Sequence, residues 1–399
     1  MIAWLHIIGI GEDGLDGLTA AARTTIANAD YIVGGKRHHS LIGECRAKRI
    51  NWPSPFNALL SKLQDLRGKN VVVLATGDPL WFSVGNRIAA TFKRDELTFH
   101  PHISAFQLAA SKLGWAMQDT DCLSVHGRPL ARIKPHVQNG QRLLLLTSNG
   151  KAVADIAVML TELGFGPSKL IALACLGGAD EALFNGLAQN WAHQVPDLNT
   201  LAVECIALPN TQALPVSCGL PDAAFQHDGT MTKQDVRAVT LAKLAPHPNA
   251  LLWDVGCGCG SVAVEWMRAA RNARAIGIEV RDDRRAMAAV NADNLGGFDL
   301  QLIAGSAPAA LKGLEAPDAI FIGGGLSTAV FDLCFAALKP MGRLVCNAVT
   351  LGSEQVLLEK YQQHGGNLTK LQFAQASPIG DKIGWKPAMP VTQYSVVKR

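Results

Sequence analysis

The chain has 399 residues, 48% apolar and 18% charged, a core-forming composition that excludes a disordered or fibrous protein. Its net charge is only +4 and its Lys and Arg residues form no run that could track a nucleic-acid backbone. The length exceeds what one hydrophobic core usually serves, so two domains are expected.

From Leu5 to about Ala207 short apolar runs alternate with glycine or polar loops and helical patterns, the rhythm of an α/β domain. The expected strands are Leu5–Ile10, Tyr31–Val33, Val71–Ala75, Leu143–Leu146, Leu170–Leu173 and Leu201–Ile206. Thr19 should cap a helix through Ala29, and Ser148 or Asn149 one across Ala152–Leu163. Pro209, Pro215, Gly219 and Pro221 break the periodicity between Leu208 and Ala224, which marks a linker. The expected domains are therefore residues 1–207 and 225–399, joined by 208–224. Beyond the linker, Thr232 and Asp235 suggest a capping box for a helix through Leu244. Strands follow at Ala250–Val255, Ala275–Glu279, Leu300–Ile303, Ala319–Ile322 and Arg343–Asn347, each separated by a helical segment. That order implies a parallel, doubly wound sheet, with Leu368–Gln375 and Thr392–Val397 as antiparallel strands at its edge.

Nine cysteines without a CxxC pair argue against a disulfide framework or zinc ribbon. Cys257 and Cys259 lie one residue apart inside a turn without further nearby ligands, so no metal is expected. Met1–Gly9 shows no basic leader, and no apolar run spans a bilayer. A cytoplasmic protein with no membrane or nucleic-acid partner is expected.

The segment Leu251-Leu-Trp-Asp-Val-Gly256-Cys-Gly258-Cys-Gly260-Ser261 is the most informative. A strand ending in alternating glycines must turn sharply and let a ligand approach its backbone. The dinucleotide fingerprint places its third glycine three positions after the second. Here the spacing is GxGxG, which suits the methionine part of S-adenosylmethionine better than a pyrophosphate. Glu279, about twenty residues on at the end of the next strand, can accept hydrogen bonds from ribose hydroxyls. A nicotinamide-dependent oxidoreductase and a non-catalytic carrier are the rival readings.

The stretch Phe225 to Arg237 (FQHDGTMTKQDVR), followed by Leu252 to Trp266 (LWDVGCGCGSVAVEW), resembles the decarboxylating precorrin methyltransferase family of cobalamin synthesis. By that resemblance Thr232, Gly256, Cys257, Gly258, Cys259, Gly260, Glu279 and Ala307 contact the cofactor in a Rossmann-like class I methyltransferase domain. The N-terminal half carries Gly9-Ile-Gly11, Gly34-Gly35-Lys-Arg-His38, Gly77-Asp78-Pro79-Leu-Trp-Phe82, Ser104-Ala105 and Ser124-Val-His126-Gly127-Arg128 in order. In this order they resemble the tetrapyrrole methylase family, whose two α/β lobes hold S-adenosylmethionine in a cleft. Gly9, Gly11, Gly77, Asp78, Phe82, Ser104 and Ala105 are then the second cofactor set. The resemblance implies methylation of a precorrin-6 macrocycle at carbons 5 and 15 with loss of the ring C acetate carboxyl. It implies two S-adenosylmethionine sites and no nucleophile dyad; a homo-oligomer is expected. Arg37, His38, Arg128, Lys233 and Arg237 are candidate contacts for the substrate's carboxylates.

Overall fold

The computed structural model describes residues 3–53, 55 and 57–399. Met1 and Ile2, which open the expected leaderless start, lie outside the described residues. Two compact units are present: one runs to Arg128 and resumes from Val137 to Thr211, and the other comprises Pro129–His136 and Gln212–Arg399.

The first unit contains two five-stranded sheets. Strands β1 (Leu5–Ile10), β2 (Tyr31–Gly34), β3 (Lys48–Asn51), β4 (Val71–Thr76) and β5 (Leu97–His100) form a parallel sheet in the order β3-β2-β4-β1-β5. Strands β6 (Thr120–Ser124), β7 (Arg142–Leu146), β8 (Lys169–Ala174), β9 (Ala182–Leu187) and β10 (Asn199–Glu204) form a mixed sheet ordered β6-β7-β10-β8-β9, with β6 parallel to β7 and the other pairs antiparallel. Central β1 and β4 are near-continuous apolar runs because both faces of a parallel sheet are covered. Thr19 Oγ1 accepts from the Ala22 N–H as the sequence suggests. The helix it caps ends at Ala27 rather than Ala29 because the Asn28 N–H closes it on the Thr24 carbonyl. Asn149, rather than Ser148, caps the helix Gly150–Glu162 by accepting from Ala152.

In the second unit the sheet order is β13-β12-β11-β14-β15-β19-β16, built from β11 (Leu251–Val255), β12 (Arg274–Glu279), β13 (Leu300–Ala304), β14 (Ala319–Ile322), β15 (Arg343–Ala348), β16 (Asn367–Leu371) and β19 (Val391–Val397). The first five are mutually parallel, and β19 runs antiparallel to both β15 and β16. Strand alternation divides β11 between two cores. Leu251, Trp253 and Val255 pack with Ile320, Ile322 and Phe331 on one face. Leu252 packs with Leu241, Val262 and Trp266 on the other. Asp254 shares this second face and is only 1% exposed.

Three expectations are corrected here. Leu368–Gln375 is not one strand: it breaks after Leu371, and β17 (Ala374–Ile379) pairs with β18 (Lys382–Pro387) as a separate hairpin. No α-helix joins β13 to β14; Gly305, Pro308, Gly313 and Pro317 punctuate that segment, leaving a single 3-10 turn at Ala309–Leu311. The Thr232/Asp235 capping box does not form, because the helix starts at Gln234 with Lys233 as an N-cap lacking a side-chain bond. The Arg237 N–H closes the first turn on the Lys233 carbonyl while its guanidinium takes the Thr232 carbonyl.

Candidate active site

A cavity of about 1200 Å³ opens at the carboxyl ends of β11, β12, β14 and β15, where open α/β sheets place their ligands. Thr232, Gly256, Cys257, Gly258, Glu279 and Ala307 of the sequence-derived set line it, together with Asp254 and Ser306. Cys259 and Gly260 belong to the same loop and are buried beneath it.

The glycines in this loop serve different purposes. A Cβ on Gly256, whose φ is +70°, would come within 2.9 Å of the Gly324 backbone. Gly256 is therefore required by the chain's own packing. A Cβ on Gly258, also at positive φ, would meet only the Thr230 carbonyl oxygen, at 3.8 Å, so its missing side chain leaves open space on the cavity wall.

Two carboxylates lie near the carboxyl ends of adjacent strands, Glu279 as the last residue of β12 and Asp254 as the last but one of β11. Glu279 is 6% exposed; its Oε2 accepts from the Gly258 N–H at 3.0 Å and its Oε1 from the Arg281 N–H at 3.0 Å. A carboxylate has about four acceptor positions, so two remain for a ligand's hydroxyls. Asp254 Oδ2 accepts from Ala263 N–H at 3.1 Å, while Oδ1 is buried without a partner among the described residues. Burial pushes the Asp254 carboxyl up to about 7, aided by the like charge of Glu279 and opposed by the Ala263 hydrogen bond.

Burial also raises the Cys257 and Cys259 thiols above their ordinary range, which disfavours the thiolate a metal requires. No cluster with metal-ligating composition occurs among the described residues.

The N-terminal motifs also converge. Gly9 is the last residue but one of β1, opposite Ala75 of β4. A Cβ there would fall 2.2 Å from the Gly77 carbonyl oxygen and 2.7 Å from His102 Cβ; one on Gly11 would meet Asp13 and His102. Gly77 abuts Ser104 and Ala105. Ser104 caps the helix Ala105–Leu113 in a reciprocal box with Gln107. Asp78 Oδ1 accepts from Leu80 N–H, forming an Asx turn. Phe82 packs edge-on to Phe106, and the Arg128 guanidinium lies over its ring.

The candidate substrate cations separate in the structure. Arg237 is corrected: it is 0% exposed, pairs with Glu265 at 2.6 Å and with Asp222, and donates to the Leu220 and Thr232 carbonyls. With Phe225 against its guanidinium, it anchors the segment preceding the glycine loop and is not available to a substrate. His38 is likewise corrected, because burial lowers its pKa to about 4 and Nδ1 accepts from Gly35 N–H, so it is neutral. Arg37 is engaged by Glu12 and Thr76. Lys233 does line the cavity, as do Arg284, Lys386 and Asn347, which the sequence reading did not single out. Arg284 is committed to Asp228. The one local signal for Asn347 was an amide inside an otherwise apolar strand.

Comparison with known proteins places these features in a family. Residues 4–191 match the model for tetrapyrrole (corrin/porphyrin) methylases. Residues 223–398 match that for the precorrin methyltransferase domain. A Sinorhizobium protein named precorrin-6Y C(5,15)-methyltransferase [decarboxylating] is 46% identical over 99% of this chain and 96% of its own length. A Salmonella typhimurium cobalt-precorrin-7 C(5)-methyltransferase is 33% identical over 41% of this chain and 80% of its own. A Saccharolobus solfataricus protein named probable cobalt-precorrin-6B C(15)-methyltransferase (decarboxylating) is 32% identical over 42% of this chain and 87% of its own. Similarity at this level along nearly the whole of both chains means that this chain belongs to the family of decarboxylating precorrin-6Y C(5,15)-methyltransferases.

Proposed function

We propose that the chain methylates reduced precorrin-6 (precorrin-6B) at carbons 5 and 15 and removes the ring C acetate carboxyl as carbon dioxide, giving precorrin-8. Residues 225–399 carry carbon-15 methylation and decarboxylation, residues 1–207 carry carbon-5 methylation, and 208–224 join them. Two relatives named for one position each, and each matching about two fifths of this chain, fit a chain in which separate domains carry the two methylations.

The observation that carries this reading is the pair of buried carboxylates, Asp254 and Glu279, near the carboxyl ends of adjacent strands beside the open wall at Gly258. This arrangement fits S-adenosylmethionine. Glu279 has acceptors for both ribose hydroxyls, the orphaned Asp254 Oδ1 suits a cationic ammonium, and Thr232, Cys257, Cys259, Gly260 and Ala307 complete the cradle. Gly9, Gly11, Gly77, Asp78, Phe82, Ser104 and Ala105 hold a second molecule in the N-terminal domain. When bound, the cofactor supplies a methyl group already activated by a positive sulfur that departs neutral. The protein's own contribution is therefore alignment, which explains why no nucleophile dyad is needed. Met231, Val255, Ile278, Phe321 and Phe373 give the cavity an apolar part of its wall, which lowers the hydration of the acetate carboxylate. Loss of that hydration favours release of carbon dioxide, the electron pair of the broken C–C bond passing into the conjugated ring.

Titration of the intact chain with S-adenosylhomocysteine should give two molecules bound per chain, with no comparable binding of NADH. A cation beside Asp254 stabilises its charged form, so binding there displaces a proton below pH 7. Affinity at that site should rise with pH up to about 7 and then level off. The sign for stability is opposite. Between the ordinary 3.8 and about 7 the folded chain keeps a proton that the unfolded chain releases, so the unliganded protein loses stability as pH rises across that window. A single site of pH-independent affinity, or equal binding of NADH, would contradict the proposal.

A further inference from the structure

Helix Gln234–Leu244, β15 and β19 meet at three polar side chains in the second unit. Thr240 and Gln393 are 0% and 1% exposed, and Asn347 sits directly opposite Gln393 across the β15–β19 ladder. Asn347 alone of the three lines the cavity.

Hydrogen-bond accounting determines how these groups point. The Thr240 hydroxyl donates to the Val236 carbonyl at 2.7 Å, which spends its one proton. Its oxygen can then only accept, so both amides must present nitrogen to it. Asn347 Nδ2 does so at 3.0 Å and Gln393 Nε2 at 3.1 Å. The second N–H of Gln393 goes to Asn347 Oδ1 at 3.0 Å. Asn347 therefore cannot flip without placing oxygen against oxygen at Thr240 and nitrogen against nitrogen at Gln393. One N–H of its amide remains, with no partner among the described residues.

This orientation is maintained at a cost, because Gln393 Oε1 is buried with no partner in the described structure, and an orphaned buried acceptor is destabilising. A network that tolerates such a defect to fix one outward donor points to function.

The location distinguishes which ligand the donor serves. From Glu279 on β12 to β15 is three strand spacings, roughly 14 Å, with β11 and β14 between. Asn347 thus lies across the sheet from the carboxylate assigned to the ribose, on the side left for the methyl acceptor. Lys233 and Lys386 line the same cavity, a setting suited to an anionic partner.

We infer that Asn347 is a substrate-binding residue whose outward Nδ2–H donates to a carboxylate of the acceptor macrocycle, with Thr240 and Gln393 as positioning residues that hold the amide. This rests on the reading of the cavity as the site of carbon-15 methylation.

The test uses the intact chain, precorrin-6B and S-adenosylmethionine. Asn347→Asp exchanges the donor for a like charge and should raise the KM for the tetrapyrrole by about ten-fold or more. Its kcat and its affinity for S-adenosylhomocysteine should change by only about two- to three-fold. Gln393→Met removes both N–H groups and the orphaned oxygen together. It should raise the same KM by a smaller factor while the melting temperature stays level or increases, an outcome a merely structural role would not produce. Unchanged KM in Asn347→Asp, alongside a wild-type chain that turns over, overturns this inference alone. So does a Gln393→Met chain that loses thermal stability and cofactor affinity together. A wild-type chain that fails to methylate precorrin-6B overturns both this inference and the functional reading beneath it.

Discussion

Glu279→Ala is expected to weaken S-adenosylhomocysteine binding in the C-terminal unit by about a hundred-fold and to reduce carbon dioxide release in parallel. A hydrogen bond to a charged group contributes about 1.5–3 kcal/mol, and two such bonds to ribose hydroxyls, taken at the lower figure, account for roughly a hundred-fold at 1.4 kcal/mol per decade. The truncation also leaves the Gly258 and Arg281 N–H groups without their acceptor, so the glycine loop loses a tie to β12. Glu279→Gln keeps the shape but must turn an NH₂ toward a neighbouring donor or toward the ligand, and an intermediate loss of about ten-fold is expected. Calorimetry on both variants checks the order. Equal affinity in wild-type and Glu279→Ala would remove Glu279 from the site.

Arg237→Ala should act on stability rather than on substrate affinity. Glu265 is 1% exposed and accepts from the Gly219 and Leu220 N–H groups as well as from Arg237. Removing the guanidinium strands a buried carboxylate, a change that typically costs about 3–5 kcal/mol. It also releases the Leu220 and Thr232 carbonyls and uncovers Phe225. For a unit of this size the melting temperature should fall by about 10 °C. Arg237→Met combined with Glu265→Gln should recover part of that loss: no uncompensated charge remains, but the amide NH₂ then faces one of the Gly219 and Leu220 N–H groups. A chain with unaltered melting and a raised KM for the tetrapyrrole would instead return Arg237 to the substrate.

Arg237 also shows where the sequence stops being informative. Its local context is an ordinary helix with lysines nearby, and nothing within a few residues announces that Glu265, on a different helix, will meet it. The Thr232 capping box failed because the helix begins at Gln234 with Lys233 as its N-cap, one residue beyond the expected cap. By contrast, β11 and its glycine loop were legible because several signals coincide there: an apolar run of strand length, glycines at every second position, and an acid at the end of the next strand. The caps at Thr19 and Asn149 were legible because capping is local chemistry between neighbours in sequence.

Strands whose burial comes from one side or from an edge position were missed. The β3 segment, Lys-Arg-Ile-Asn, is mostly exposed. β9 alternates half-buried and exposed residues, and the β17–β18 hairpin carries two prolines and little buried surface. Among the residues that line the cavity, Gly258, Glu279 and Ala307 were anticipated, whereas the proposed role of Asn347 depends on Thr240 of the helix Gln234–Leu244 and on Gln393, which the antiparallel return of β19 brings beside it.

One chain is proposed to add two methyl groups to a macrocycle and to remove one carboxyl from it. Mass spectrometry of the product formed by the purified intact chain from precorrin-6B and methyl-labelled S-adenosylmethionine tests this most directly. Two labelled methyl groups and the loss of one carboxyl as carbon dioxide are expected. A product that keeps every carboxyl, or that gains a single methyl group at saturating cofactor, would contradict the proposal.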